Sequence, residues 1–491
     1  MNPTARSPST LAAVAAHLAV SALALAAALF LTGCASHGPD HTPLAPTTPE
    51  AAGLSAHAPA DTAAPAQWWT ALGDAQLDAL IDQALKGNPT LAVGRARVEQ
   101  AVALSQVREA TSGPQATLVL DATRQRYSAN GLVPAPIAGN TYNSGNVQAA
   151  LSWSPDFFGQ HAAELQAALG QARAAQADAS AAANTLAAQL GRSYVALARW
   201  LAQRDVAARA LAQREEQRGI TQERVTAGLD SQVELTQAQA AVPDARTQIE
   251  ALDEQITLAR RQLAALSGQA PDALNTLTPR LTALTAGPVP NVLGADLLGR
   301  RPDVVAARWR VEAATQDVNS ARSAFYPNIN IAAFIGLNSL GLSQLLNASS
   351  RQMGVTPALR LPIFDGGRLR AQLGGRQAEL DASIAQYNGA VIDAVKEAGD
   401  AMASVQSLAR QQTLQNDATA SAEKAYQFAQ QRYRAGLGNY LVVLSTETQV
   451  LAQRRLAVDL RARRLDTQVQ LMKALGGGWT DDTAPLARTA H

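Results

Sequence analysis

Hydrophobic and polar positions along the chain follow two different periods, and each period occurs twice. Long helical patterns stop near Pro114 and again near Pro327, and a period-two pattern begins after each proline. Alternate positions are apolar from Val147 to Trp153 and again from Ile329 to Leu337. With less regular partner segments, the patterns predict two β-hairpins, over 114–154 and 327–361, with Gly/Asn/Ser-rich loops at 129–145 and 338–350.

A very long helix is predicted after each hairpin. The spans 159–226 and 366–434 contain no proline, and at about 1.5 Å per residue each would form a rod on the order of 100 Å. Each rod ends at an Ala-Gly-Leu sequence and is followed by a return helix, over 231–266 or 440–475, with coiled-coil spacing of apolar residues. No globular core needs helices of this length, so they predict an elongated helical architecture.

The two halves of the chain are one duplicated unit. The segment Pro89–Glu99 aligns with Pro302–Glu312, and Ala227–Leu229 aligns with Ala435–Leu437, at a nearly constant offset of about 210 residues. We therefore predict a first repeat over 68–268 (hairpin 114–154, helical hairpin 159–266) and a second over 294–475 (hairpin 327–361, helical hairpin 366–475). A linker at 269–293 separates them, and a tail at 476–491 follows.

The N-terminal segment indicates a protein of the bacterial envelope. An apolar run from Leu18 to Leu31 follows a head that carries Arg6, and it ends at Leu31-Thr32-Gly33-Cys34, which resembles a lipobox. Cys34 is the only cysteine, so no disulfide can form within the chain. We predict a signal peptide over 1–33, an acylated Cys34 and an extended leader over 34–67, with ordered structure beginning near Trp68.

Charge and residue chemistry exclude several function classes. The formal net charge is +1, so the electrostatic footprint of a nucleic-acid-binding protein is missing. The sequence has no histidine, carboxylate or cysteine cluster with metal-ligand spacing, no phosphate-binding glycine loop and no nucleophile elbow. We expect no enzymatic activity, no catalytic or metal-binding residues, and no cofactor apart from the lipid on Cys34.

Four strands are too few to close a membrane barrel, since single-chain barrels start near eight strands. An open sheet in lipid would leave edge amides unsatisfied at several kcal/mol each. Two copies would give eight strands and a barrel filled by side chains, whereas three would give twelve, the first size with an open lumen. The predicted fold is mainly α, with a transmembrane β-barrel that other copies complete.

Several segments together carry a resemblance to a known family: Trp68-Trp69 with Gly73–Leu77, Leu298–Val304, Ala324–Pro327, Leu361–Arg368 and Arg432–Leu437. The chain resembles the outer membrane factors, the TolC-like and OprM-like efflux channels, and especially their NodT-type lipoproteins, over essentially the whole mature length. The resemblance implies a homotrimer with a twelve-stranded barrel and a long coiled-coil tunnel that extends from the outer membrane into the periplasm. It further implies efflux of drugs or other small molecules together with a periplasmic adaptor and an inner-membrane pump, often of the resistance-nodulation-division type.

The resemblance also assigns roles to the ends of the helical hairpins. It implies that the turns at Gly228 and Gly436, with Arg224 and Arg434 beside them, contact the adaptor. The entrance constriction is expected just beyond the second turn, at Tyr440, Val442 and Ser445. Many relatives place an aspartate nine residues past the turn glycine, where this chain has Ser445. We therefore expect no strongly acidic ring on the return helix that begins at residue 440, although the first repeat has Glu234 at a matching position.

Other functions remain open on sequence grounds. A lipid-anchored coiled-coil scaffold of the envelope would explain the helices and the lipobox but would leave the strands without a purpose. Among channels, type I protein secretion and metal efflux are alternatives to drug efflux. The pump sets the cargo, so the sequence does not identify the substrate, the pump or the adaptor.

Overall fold

A computed structural model describes residues 41–55, 65–287 and 294–480; the predicted signal peptide and Cys34 lie outside these ranges. A short 3-10 helix, Trp68–Leu72, comes first. The helices and strands that follow are α1 Ala75–Gly87, α2 Pro89–Ser112, β1 Gln115–Arg126, β2 Thr141–Trp153, α3 Gln160–Thr226, α4 Gln232–Leu266, α5 Leu297–Arg300, α6 Pro302–Ser323, β3 Asn328–Leu340, β4 Arg351–Arg360, α7 Arg368–Arg434 and α8 Tyr440–Ala474.

The predicted helical hairpins are present at nearly the predicted bounds. Helices α3 and α7 have 67 residues each, and the return helices α4 and α8 have 35 each. Among the described residues, no helix combines the length and the apolarity needed to cross a membrane.

The chain divides into two compact units, and each takes segments from both halves of the sequence. The first contains 41–45, Ala101–Ala172 and Arg310–Ile384. The second contains Pro46–Gln100, Arg173–Trp309 and 385–480. The sequence repeat is therefore not a unit of packing, because each compact unit combines equivalent elements of the two halves.

The strands of the first unit form one antiparallel sheet in the order β1-β2-β3-β4. In its register, Val147 lies between Leu120 on β1 and Leu337 on β3, and Leu337 lies opposite Arg351 on β4. The four predicted strands are confirmed. The predicted loop 129–145 was too long, because β2 already begins at Thr141: the polar run 141–146 pairs fully with β1 although its composition is typical of a loop.

Small residues let the helices of the first unit approach closely. Ala314 and Val318 on α6 pack against Leu373 and Leu380 on α7. On α3, a methyl group at Gly170 would stand 3.0 Å from the Cβ of Ala313. Glycine and alanine at such positions allow helix backbones to approach closely.

The second unit has the larger core, and Trp68, which is 2% exposed, is one of its members. Tyr194 is fully buried in this core and donates its hydroxyl to Asp74 Oδ2 at 2.7 Å. Burial, followed by the bond to Asp74, raises the pKa of Tyr194. Asp74 also accepts the amide N–H of Gln76 at 2.9 Å, so one carboxylate begins α1 and fixes it to α3.

Ordered structure begins before Trp68, contrary to the prediction. In the second unit, Thr47 donates its amide N–H to Asn388 Oδ1 at 2.7 Å, and Leu54 is buried beside Leu297 and Leu471. The segment is rich in proline, alanine and threonine, and a single buried leucine produces no period that could have predicted this packing.

Candidate functional site

One face of the sheet is apolar and exposed. Its residues lie at alternate positions of all four strands, and large members include Leu118, Leu120, Leu151, Ile335, Met353, Val355 and Leu359. Soluble monomers rarely expose a continuous apolar surface of this kind, so the face is suited to contact with lipid.

The opposite face carries a chain of polar side chains. Asn146 donates to Asp121 Oδ2 at 2.9 Å, and Gln352 donates to the side-chain oxygens of Asn146 and Gln148 at 3.0 and 3.2 Å. The last two bonds connect β4 to β2 across β3, where Gly336 has no side chain to obstruct them. A face of this polarity is suited to water.

Aromatic pairs lie at both ends of the strands. Tyr127 and Tyr142 meet edge to face, with centroids 6.4 Å apart, where β1 and β2 join their loop. At the helix end, Tyr326 stacks on Phe158 at 5.1 Å. Tyr142 lies opposite Gln125 on the polar face, so the Tyr127–Tyr142 pair marks the loop end of the strands and is not part of the apolar face.

The two helical hairpins of the second unit end in the same turn. Gly228 and Gly436 have φ of 70° and 75°, a region that side chains other than glycine rarely adopt. The leucine after each glycine donates its N–H at 2.8 Å to the carbonyl five residues earlier, which is the hydrogen bond of a Schellman motif. The duplicated Ala-Gly-Leu sequence therefore has a local structural cause.

The same leucines are exposed. Leu229 is 65% exposed and Leu437 is 71% exposed, and the aligned pair Val233 and Leu441 is exposed as well. Each hairpin end thus presents two apolar side chains at equivalent positions. The sequence prediction emphasised the glycines and arginines and missed these residues, although their alignment between the halves was visible.

Arg224 is held inside the hairpin ends rather than displayed. Its side chain is 16% exposed and bonds both carboxylate oxygens of Asp230, at 2.9 and 3.3 Å. Its guanidinium lies 4.5 Å from the centroid of the Tyr433 ring, and the Tyr433 hydroxyl donates to Asp230 at 2.5 Å. The bond from Arg224 holds the pKa of Asp230 below its usual range. The cluster joins the end of α3 to the end of α7.

The three residues predicted at the entrance differ in exposure. Tyr440 is 3% exposed and packs 6.0 Å from the Tyr433 ring, whereas Val442 is 50% exposed. Ser445 is also exposed, and its hydroxyl donates to the Val442 carbonyl at 3.1 Å. Of these three residues, therefore, Val442 and Ser445 present their side chains to solvent in the single chain, and Tyr440 does not.

Comparison with known proteins decides the family. The model of the outer membrane efflux protein family matches residues 80–269 and 293–477, once in each half of the chain. This chain belongs to the outer membrane efflux protein family. The predicted family, the outer-membrane location and the efflux function are thereby confirmed.

Individual relatives of this efflux protein agree. The chain is 33% identical over 473 residues to a multidrug resistance outer membrane protein, MdtQ, of Escherichia coli O157:H7, covering 92% of this chain and 96% of the relative. It is 33% identical over 465 residues to MdtP of Escherichia coli strain K12, covering 93% and 95%. Among solved structures, it resembles the outer membrane protein VceC of Vibrio cholerae (32% identity, TM-score 0.79, 84% and 98% covered) and the outer-membrane channel OprN (26%, 0.81, 90% and 99%).

Arg434, the other arginine predicted at the hairpin ends of this efflux protein, is exposed and pairs with Glu216 at 2.6 Å. An exposed pair of this kind contributes little to stability, typically less than about 1 kcal/mol. Arg434 is therefore accessible to a partner, unlike Arg224.

A buried acidic residue near the second turn was missed. Glu447 follows Tyr440 and Val443 at the spacing of buried positions on α8, and it accepts a hydrogen bond from Arg214 Nε at 3.3 Å. Burial raises the pKa of Glu447, although Arg214 opposes the shift. Burial also raises the pKa of Tyr426 and of Tyr440 to about 12. The sequence signal was a carboxylate at an otherwise apolar helical position.

Within the described ranges, no three histidine, cysteine, aspartate or glutamate side chains are grouped to hold a metal ion.

Proposed function

We propose that three copies of this efflux protein close one twelve-stranded barrel, which their helices extend as a passive duct into the periplasm. One observation carries the proposal: within the part of the chain that the structure describes, β1 and β4 each pair on one side only, in a four-stranded sheet with an exposed apolar face. In lipid, the unpaired edge amides would cost several kcal/mol each, and pairing β4 of one copy with β1 of the next removes that cost.

The dimensions support a membrane-spanning role. Strand β1 has 12 residues, so it is about 40 Å long at ~3.3 Å per residue. A tilt of about 40° reduces its height to roughly 30 Å, which matches the hydrocarbon core of a bilayer. The polar chain from Asp121 to Gln352 would face the water-filled lumen, as would Tyr142 on the same face.

We further propose that the hairpin ends bind a periplasmic adaptor, which couples the duct to an inner-membrane pump of the resistance-nodulation-division type. The turns at Gly228 and Gly436 would present Leu229 and Leu437 to apolar positions of the adaptor, with Arg434 at the margin. The role of Arg224 is to fix the turn. The relatives named as multidrug resistance proteins favour drugs and other small molecules as cargo.

For the entrance we propose an uncharged lining at Val442 and Ser445. Both side chains are exposed at the start of α8, and the nearby carboxylate of Glu447 is buried against Arg214. Tyr440 would support the lining from behind, because its ring packs on Tyr433.

The proposed anchor is a lipid on Cys34. Intact mass measurement of the mature protein should show an acylated N-terminus at that cysteine. A Cys34→Ala chain that still reaches the outer membrane should remain there, because the barrel holds it independently.

The decisive experiment is electrophoresis of the detergent-solubilised protein with single-channel recording on the same sample. We expect an SDS-resistant, heat-modifiable oligomer that conducts ions in planar bilayers. A Cys34→Ala chain serves as the control, since it should conduct equally without its lipid. An elongated rod that is soluble after delipidation and never conducts would instead favour the envelope scaffold.

A further inference from the structure

Charged side chains in the two β-hairpins are few and unevenly placed. The only charged residues in the segments 115–153 and 328–360 are Asp121, Arg124, Arg126, Arg351 and Arg360. Asp121 accepts its hydrogen bond on the polar face of the sheet. The loops at 127–140 and 341–350 carry no charged residue at all. The loop end of the sheet is therefore purely cationic.

Strand alternation places three of the arginines on the apolar face. Arg124 and Arg126 continue the row of Leu118 and Leu120 along β1, and Arg351 continues the row of Met353 on β4. All three lie where their strands meet the loops, at the end marked by the Tyr127–Tyr142 pair. They stand at the boundary of the lipid-facing surface.

These three arginines are exposed, and none has an ion pair or side-chain hydrogen bond with another residue in the described part of the chain. By contrast, the helix end of the same face is uncharged, with Trp153 and Leu359 at the strand ends. Arg360 lies at that end but on the polar face, in register with Asn328. The apolar face thus carries arginines at its loop end and no charged residue at its helix end.

We propose that Arg124, Arg126 and Arg351 bind the phosphate groups of a phosphorylated glycolipid in the outer leaflet of the membrane. Guanidinium groups bind phosphate through paired hydrogen bonds, and the apolar rows beside them would contact the acyl chains of the same lipid. A free phosphate ion would gain nothing from those rows, so the charge and the apolar surface together fit a lipid headgroup.

The position of the site rests on the proposed closure of three chains. When β4 of one copy pairs with β1 of the next, Arg351 stands on the strand beside Arg124 and Arg126 of its neighbour. Each of the three seams then carries arginines from two copies, so a bound lipid bridges two subunits and strengthens the seam.

Binding can be measured on the full-length oligomer in detergent micelles, with diphosphoryl lipid A as the probe and native mass spectrometry as the readout. In Arg124→Gln/Arg126→Gln/Arg351→Gln, we expect binding weaker by on the order of 100-fold, since each basic residue at an anionic lipid surface contributes about fivefold. The matched control, Arg360→Gln, should bind as wild type does. Substitution of all three by lysine should restore part of the affinity, because charge remains but paired hydrogen bonding is lost.

Several outcomes would overturn the site. The site is wrong if the triple glutamine variant binds lipid A as tightly as wild type does. It is also wrong if Arg360→Gln loses as much binding as the triple variant, or if wild type binds phosphate-free lipid A as tightly as diphosphoryl lipid A. Displacement of lipid A by equimolar inorganic phosphate would show that the acyl chains contribute nothing. Should the triple variant not assemble, two measurements replace it: lipid A binding by the single variant Arg351→Gln, and lipid A binding by wild type at rising salt concentration. Weaker binding in both measurements supports the site, and unchanged binding in either one refutes it.

Failure of this proposal is separable from failure of the duct. If the triple variant conducts like wild type and binds lipid A unchanged, only the lipid site is wrong. A wild-type protein that is monomeric and does not conduct would contradict the proposed function itself, and the seam site with it.

Discussion

Substitution of Gly336 by alanine tests whether strand pairing around this glycine holds the sheet together. A methyl group there would stand 2.2 Å from the carbonyl oxygen of Val147 and 2.8 Å from Cα of Gln148. Both contacts are with the backbone of β2, so no side-chain rotation relieves them. Such a contact must open by more than about 1 Å, and overpacking of this kind costs about 1–3 kcal/mol or more.

The effect should be large in the assembled protein. The displacement would also break the bond from Gln352 to Gln148 across β3, worth about 1 kcal/mol. We expect about 3 kcal/mol per chain, and about 9 kcal/mol when three chains share one barrel. Gly336→Ala should therefore lose the SDS-resistant oligomer, or dissociate at a temperature well below that of wild type.

The assay is a heating series of the solubilised oligomer on semi-native gels, followed by bilayer conductance. Gly219→Ala is the matched control, because a methyl group at that helical position meets nothing within 4 Å and should stabilise α3 by about 1 kcal/mol. An oligomer of Gly336→Ala as heat-resistant as wild type would show that β2 and β3 do not pair as described.

Three further predictions concern the hairpin ends. Burial raises the pKa of Glu447 above its ordinary 4.5. The stability that its protonation contributes is therefore fully present below pH 4.5 and is lost as the pH rises through the folded-state pKa. The free energy of unfolding of Glu447→Gln in urea should depend less on pH than that of wild type, and an unchanged pH dependence would contradict the shift. Ser445→Asp should make the channel more sensitive to block by polyvalent cations in bilayer recordings, and block equal to that of wild type would refute an uncharged entrance. Leu229→Ser/Leu437→Ser should fold and conduct normally but lose adaptor pull-down and drug resistance in cells, with the exposed Leu414→Ser as the control; full retention of both would exclude these leucines from the contact.

Sequence periods predicted the architecture well because lipid and coiled-coil packing impose simple patterns. The alternation around Val147 and Ile335 marked strands with one face in an apolar environment. Proline-free spans marked α3 and α7. The polar start of β2 at Thr141 was missed, since the backbone hydrogen bonds that pair it with β1 do not require apolar side chains.

The hairpin ends were harder to predict because their side chains interact across elements. Gly228 and Gly436 could be assigned from the turn sequence alone, which local backbone geometry dictates. The sequence gives no sign that Arg224 is satisfied by Asp230 and Tyr433, since Tyr433 lies on another helix far along the chain. Likewise, Tyr440 is buried because α8 turns this residue toward Tyr433 on α7. The hydrophobic periodicity of the sequence does not specify how one helix is rotated relative to another.

The central claim is that three chains complete one barrel, and the most direct test is the native mass of the full-length protein released from detergent micelles. The account predicts a mass of three chains, carried by a species that resists SDS at room temperature. A stable monomer or dimer as the largest species in micelles would contradict it.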